Sequence, residues 1–110
     1  MNVGEIVEHL GLQVLTGTDH LDGEVSGGYV ADLLSCVMAG AEAGDLWITL
    51  QTHANIVAVA SLLNVAAIVV AESAPVPEST LTKAAEQGVV ILSSSQPVYE
   101  TVSRLAALGV

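Results

Sequence analysis

Gln51-Thr52-His53-Ala54-Asn55 is where this chain gathers groups capable of polar chemistry. The pentad follows a β-rich run, Leu46–Leu50, and precedes an apolar stretch, Ile56–Leu63. Thr49, Gln51, Thr52, His53 and Asn55 together supply hydroxyl, amide and imidazole donors and acceptors where a helix is expected to begin. The free N–H groups of a helix start favour negative charge. The chemistry expected here is therefore binding of a small anionic or nucleotide-like ligand. Ser93, Ser94 and Ser95 form a second polar loop between a strand-like run and a helix, and are expected to close the opposite wall. Capping and turn formation alone also explain Thr, Asn and Ser at such points, and that plainer reading stands beside the binding one.

Bond-making chemistry finds little support. No G-x-x-x-x-G-K-[ST] loop is present, and Lys83 falls on a helical stretch away from any glycine loop. Neither a G-x-G-x-x-G turn after a strand nor a G-x-S-x-G elbow occurs. His9, His20 and His53 lie in separate segments, and His20-Leu21-Asp22 offers at most two ligands at an undiagnostic spacing, so no metal is expected. Asp19, Asp22, Glu24 and Asp32 would act as an acid pair only if folding gathered them; a solvated acidic edge is the expectation. Cys36 falls in a helical pattern and is expected to be a buried structural thiol. No catalytic residue and no cofactor are expected.

The elements that must hold these residues follow from periodicity. Asn2 with Glu5 three residues on makes a capping-box pattern before Val3, Ile6, Val7 and Leu10, and Gly11 ends that helix. Leu12–Leu15 is expected as a short strand, and Glu24–Ser26 as a brief second one. Val30, Leu34, Val37, Met38 and Ala41 then mark one helical face that runs to Gly44. From Asp45 the order is strand, helix, strand, helix, strand, helix: Leu46–Leu50, Ile56–Leu63, Val65–Ala71, a helix from Pro77 to Gly88, Val89–Leu92, and a last helix marked by Val98, Val102 and Leu105. Alternation of this kind predicts a mostly parallel sheet with helices on both faces. The fold class is a single three-layer α/β/α domain over residues 1–110, with the early strands able to pair antiparallel at one edge. Parallel crossovers place the pentad at the carboxyl end of a strand, where ligands of open α/β sheets collect.

Composition narrows the partners. Charged residues are 13% of the chain and net charge is -10, with only Lys83 and Arg104 positive. No basic groove can form, so neither nucleic acid nor an anionic membrane surface is an expected partner. So few charges leave much of the surface apolar or small and neutral, which favours a homodimer or a covering partner. The single cysteine and the start Met1-Asn2-Val3-Gly4-Glu5, which lacks a signal-peptide pattern, point to the cytoplasm. The longest apolar run, Ile56–Ala71, is broken by Ser61 and Asn64 and falls short of a membrane span of ~20 residues.

Through GGYVADLLSCVMAGAEAGDLWITLQTHANIVAVASLLNVAAIVV and AAEQGVVILSSSQPVYETVSRLAALG, the chain resembles the DRTGG domain family over roughly residues 12–108. The likeness is to its small stand-alone members, and to the amino-terminal, non-kinase domain of HPr serine kinase/phosphorylase. It implies a three-layer α/β fold, a tendency to oligomerise and a regulatory or ligand-sensing role. Kinase activity belongs to the other domain of that enzyme. Two signature positions differ: the Asp-Arg pair stands here as Thr52-His53, and the Thr-Gly-Gly as Val70-Ala71-Glu72. Stand-alone relatives occur alongside redox enzymes such as iron hydrogenases. The expectation is a non-catalytic regulatory module with a small-molecule ligand; the alternative is a structural interaction subunit that docks onto a partner enzyme.

Overall fold

The computed structural model describes residues 1–110. Five helices, α1 (Val3–Leu10), α2 (Leu34–Gly40), α3 (Asn55–Leu63), α4 (Glu78–Gln87) and α5 (Val98–Ala107), surround five strands, β1 (Gln13–Thr16), β2 (Gly27–Val30), β3 (Asp45–Thr49), β4 (Ala67–Val70) and β5 (Ile91–Ser93). The sheet order is β1-β5-β4-β3-β2; β2 to β5 run parallel, and β1 pairs antiparallel with β5. The mostly parallel three-layer architecture is thus as expected.

Alternation along the strands divides the core in two. Trp47, Ile68, Val70 and Ile91 meet α2, α3 and α4 through Val37, Ile56, Val57, Ala60 and Ala84. Leu46, Ile48, Ala67, Val69 and Leu92 meet α1 and α5 through Val3, Ile6 and Leu105. Burial on both faces explains why β3 and β4 are near-continuous apolar runs. The first helix starts as its sequence implies: Asn2 Oδ1 accepts the Glu5 N–H at 2.9 Å, and Glu5 Oε1 accepts the Asn2 N–H at 3.0 Å.

Four expectations are corrected. The second strand is Gly27–Val30, not Glu24–Ser26. Its glycines read as breakers, yet Asp45 lies where a side chain on Gly27 would go: a Cβ there meets Asp45 Oδ1 at 2.9 Å. The helix expected from Val30 to Gly44 occupies only Leu34–Gly40, because Tyr29 and Val30 are claimed by the sheet. In so short a helix only Val37 is buried, and Cys36 is exposed rather than buried. The last strand is shifted to Ile91–Ser93, since Val89 and Val90 lead into it.

Candidate functional site

Thr49, Val70 and Ser93 sit side by side in register at the carboxyl ends of β3, β4 and β5. The loops that leave them are joined by backbone hydrogen bonds. The Ala71 N–H donates to Thr49 O (3.1 Å), the Ser73 N–H to Ser94 O (2.9 Å) and the Glu72 N–H to Gln96 O (3.0 Å). Thr80, fully buried at the start of α4, donates its hydroxyl to Thr52 O at 2.8 Å. Three consecutive strand-end loops are therefore held as one ledge.

Thr49 is buried and serves the ledge from beneath. Its hydroxyl donates to Asp32 Oδ1 (2.8 Å) and accepts the Gln51 N–H (3.0 Å). Asp32 Oδ1 also accepts the Leu50 N–H at 2.8 Å, which fixes the segment after β2 to the end of β3. Among the serines, Ser94 is buried, shares a hydrogen bond of 2.9 Å with Thr101 and accepts the Gln96 N–H at 3.2 Å. Ser93 is half-buried within β5 and Ser95 is exposed. Gln51, His53 and Asn55 are exposed, and Thr52 is half-buried.

At the start of α3 three backbone N–H groups are engaged locally. His53 Nδ1 accepts the Asn55 N–H at 3.1 Å, while the Ile56 and Val57 N–H groups go to His53 O and Ala54 O. Those helix-start donors are already partnered. A ring that accepts at Nδ1 carries its proton on Nε2, so His53 presents an N–H donor at its other nitrogen. The most exposed polar side chains on the ledge are those of Gln51, His53, Asn55 and Ser95.

Glu72 and Ser73, at the end of β4, have φ of 61° and 51°. Side chains cost ~1–2 kcal/mol each in this left-handed region, and such strain collects at functional loops. The ledge residues line neither of the two cavities. One cavity, of about 140 Å³, opens at the opposite sheet edge, between the ends of α3 and α4 and beside His20. The other, of about 120 Å³, lies between β2 and α5. No three His, Cys, Asp or Glu side chains gather as a metal site. No helix is long and apolar enough to cross a membrane.

The family model described as the DRTGG domain matches residues 5–108. The chain belongs to the DRTGG domain family. In structure it is similar to a crystal structure of the CBS and DRTGG domains of the regulatory region of Clostridium perfringens pyrophosphatase, complexed with its activator, diadenosine tetraphosphate. The TM-score is 0.74 at 14% identity, over 92% of this chain and 44% of that one. No curated protein matches the chain.

Paired left-handed residues are what a Gly-Gly pair accommodates best, and in this DRTGG domain they fall at Glu72-Ser73. Asp32, Thr80 and the Glu72-Ser73 turn carry no motif. Of them only Asp32 had a signal, as an acid two residues past the true end of β2.

Proposed function

We propose that this DRTGG domain is a non-catalytic regulatory module that binds a small nucleotide-like ligand on the strand-end ledge, and that it works in the cytoplasm as a homodimer. The observation that carries the proposal is the cross-tied ledge itself. Ligand sensing rewards donors and acceptors held in place before binding, because less ordering remains to oppose association. Gln51, His53, Asn55 and Ser95 offer amide, imidazole N–H and hydroxyl groups on a frame fixed by Thr49, Thr80 and Ser94. Ser94 is hydrogen-bonded to Thr101 and Gln96, not to a general base, which argues for binding over turnover. The occupied N–H groups of α3, with Asp32 and Glu72 on the same edge, favour the neutral base and ribose of a nucleotide over a bare phosphate. The similar regulatory region bound by diadenosine tetraphosphate makes adenine nucleotides the first ligands to test.

Calorimetry and thermal shift with diadenosine tetraphosphate, ATP, AMP and inorganic phosphate provide that test. A nucleotide at 100-fold its dissociation constant is expected to add ~2.7 kcal/mol of stability. Phosphate alone is expected to add nothing. The double substitution of Gln51→Ala and Asn55→Ala is expected to abolish the nucleotide shift while leaving the free domain folded. Absence of a shift with every nucleotide at millimolar concentration refutes the ligand reading.

A second reading, docking onto a partner enzyme such as a redox enzyme, is favoured by different residues. Leu33, Leu62 and Tyr99 are 64%, 66% and 79% exposed. Tyr99 is an exposed aromatic of the kind that protein interfaces bury at their centres.

A further inference from the structure

We infer that the free edge of β2, with the apolar groove between β2 and α5, is the face across which two copies of this chain join, their β2 strands antiparallel about a two-fold axis. This names the face of the homodimer proposed above and rests on that assembly.

The two edges of the sheet are unlike. β1 is irregular, with a register break between Val14 and Thr16, and such bulges deter further pairing. β2 holds unbroken register with β3 from Gly27 opposite Asp45 to Val30 opposite Ile48, and no strand pairs with its other side. That edge carries no proline, lysine or bulge, the usual guards against strand addition. Its two glycines leave the backbone bare.

The sheet face beside this edge is incompletely covered. Gly28 and Val30 lie in register with Leu46 and Ile48, on the side packed by α1 and α5. Those helices do not reach across β2. Gly28, Val30, Ile48, Val102, Ala106 and Val110 are left lining the groove of about 120 Å³, with Val30 48% exposed.

A second copy fits this face by shape and by charge. Residues directly opposite in an antiparallel pair point to the same side of the sheet. Pairing Tyr29 with the Tyr29 of a second copy sets each Val30 against the other copy's Gly28. A branched side chain then enters the space that a missing one leaves, twice by symmetry. No charged residue lines the groove, and residues 27–41 contain only Asp32. Glu5, Glu8, Asp19, Asp22 and Glu24 cluster in the sequence elsewhere, and there a basic partner would be drawn. Two chains of net charge -10 can meet closely only across an uncharged face, and their repulsion makes the contact tighten as salt screens it.

Sedimentation velocity of the full chain across the micromolar range, at low and high salt, tests this. The wild type is expected to dimerise, more tightly at high salt. Val30→Lys places a guard on the edge while lowering the net negative charge, so any loss of dimer does not come from greater overall repulsion. It is expected to weaken dimerisation by about thirty-fold or more, with unchanged circular dichroism. A folding defect in that variant is bypassed by hydrogen exchange on the wild type, where amides within Gly27–Val30 are expected to gain protection as concentration rises. A wild type that stays monomeric overturns both this face and the homodimer. A dimer that is unaffected by Val30→Lys, shows no concentration-dependent protection in β2, or loosens with salt overturns the face alone.

Discussion

Replacing Asp32 with alanine tests how the ledge is built, because one carboxylate oxygen holds two groups. Asp32 Oδ1 accepts from the Thr49 hydroxyl and from the Leu50 N–H, each at 2.8 Å. Thr49 is 1% exposed, so without Asp32 its hydroxyl keeps the Gln51 N–H as a donor to it but has no acceptor of its own. A buried donor left unmatched costs about 1–3 kcal/mol. The exposed Leu50 N–H finds water instead and loses only about 0.5–1 kcal/mol. Asp32→Ala is therefore expected to destabilise by about 2–3 kcal/mol, whereas Asp32→Asn, which keeps an acceptor, should lose about 1 kcal/mol or less. Thr49→Val removes the stranded donor, so the double variant should fall short of the sum by about 1–2 kcal/mol. Urea denaturation followed by tryptophan fluorescence suits the measurement. Trp47 is fully buried, and its indole N–H donates to Ala31 O at 2.8 Å, one residue from the substitution. Asp32→Ala within about 0.5 kcal/mol of wild type, or Asn no better than Ala, would refute this account of the ledge.

Four further substitutions follow, three on the same frame and one at the β1 edge. Thr80→Val keeps the shape of a fully buried side chain but strands Thr52 O, and should cost about 1–2 kcal/mol by thermal unfolding and weaken nucleotide binding. Glu72→Gly and Ser73→Gly relieve left-handed strain but loosen the unfolded chain, and each is expected to raise stability by up to about 1 kcal/mol; a loss would show that these side chains make contacts that outweigh the strain. Gly17→Ala meets both a φ of 87° and a Cβ placed 2.9 Å from Val90 Cα, so a loss above about 3 kcal/mol is expected in denaturant titration, with β1 detaching from β5.

What the sequence disclosed depended on whether a signal was local. The capping box at Asn2 and Glu5 is closed within one helical turn and was legible in full. The polar loop after β3 was legible as a position, because crossover connections fix which sheet edge it occupies. Its electrostatics were not: whether His53 accepts the Asn55 N–H depends on a ring orientation that spacing does not encode. Ser94 and Thr49 looked like ligand groups, yet both are spent inward, on Thr101 and on Asp32. Those partners come from elsewhere, the segment after β2 and helix α5, whose placement no local pattern states. β2 itself was displaced because Gly27-Gly28 reads as a break, and only the neighbouring Asp45 shows why a small residue sits at Gly27.

The antiparallel pairing of β1 with β5 has a consequence for the order of folding. Gln13 meets Ser93 and Val14 meets Leu92, so the second element of the chain waits for nearly the last. The helix before it is only partly covered until then, since α1 packs against α5 as well as against Leu46, Ile48 and Val69. During synthesis, β2, β3 and β4 can assemble with α2 and α3 while Gln13–Thr16 has no partner strand. Closing so long a loop delays the gain from those contacts until the final strand is made. Until then the flank of β4 that β5 will occupy is bare. The nascent sheet is thus open on both sides, and completing the chain covers the β4 flank with β5 and the irregular β1.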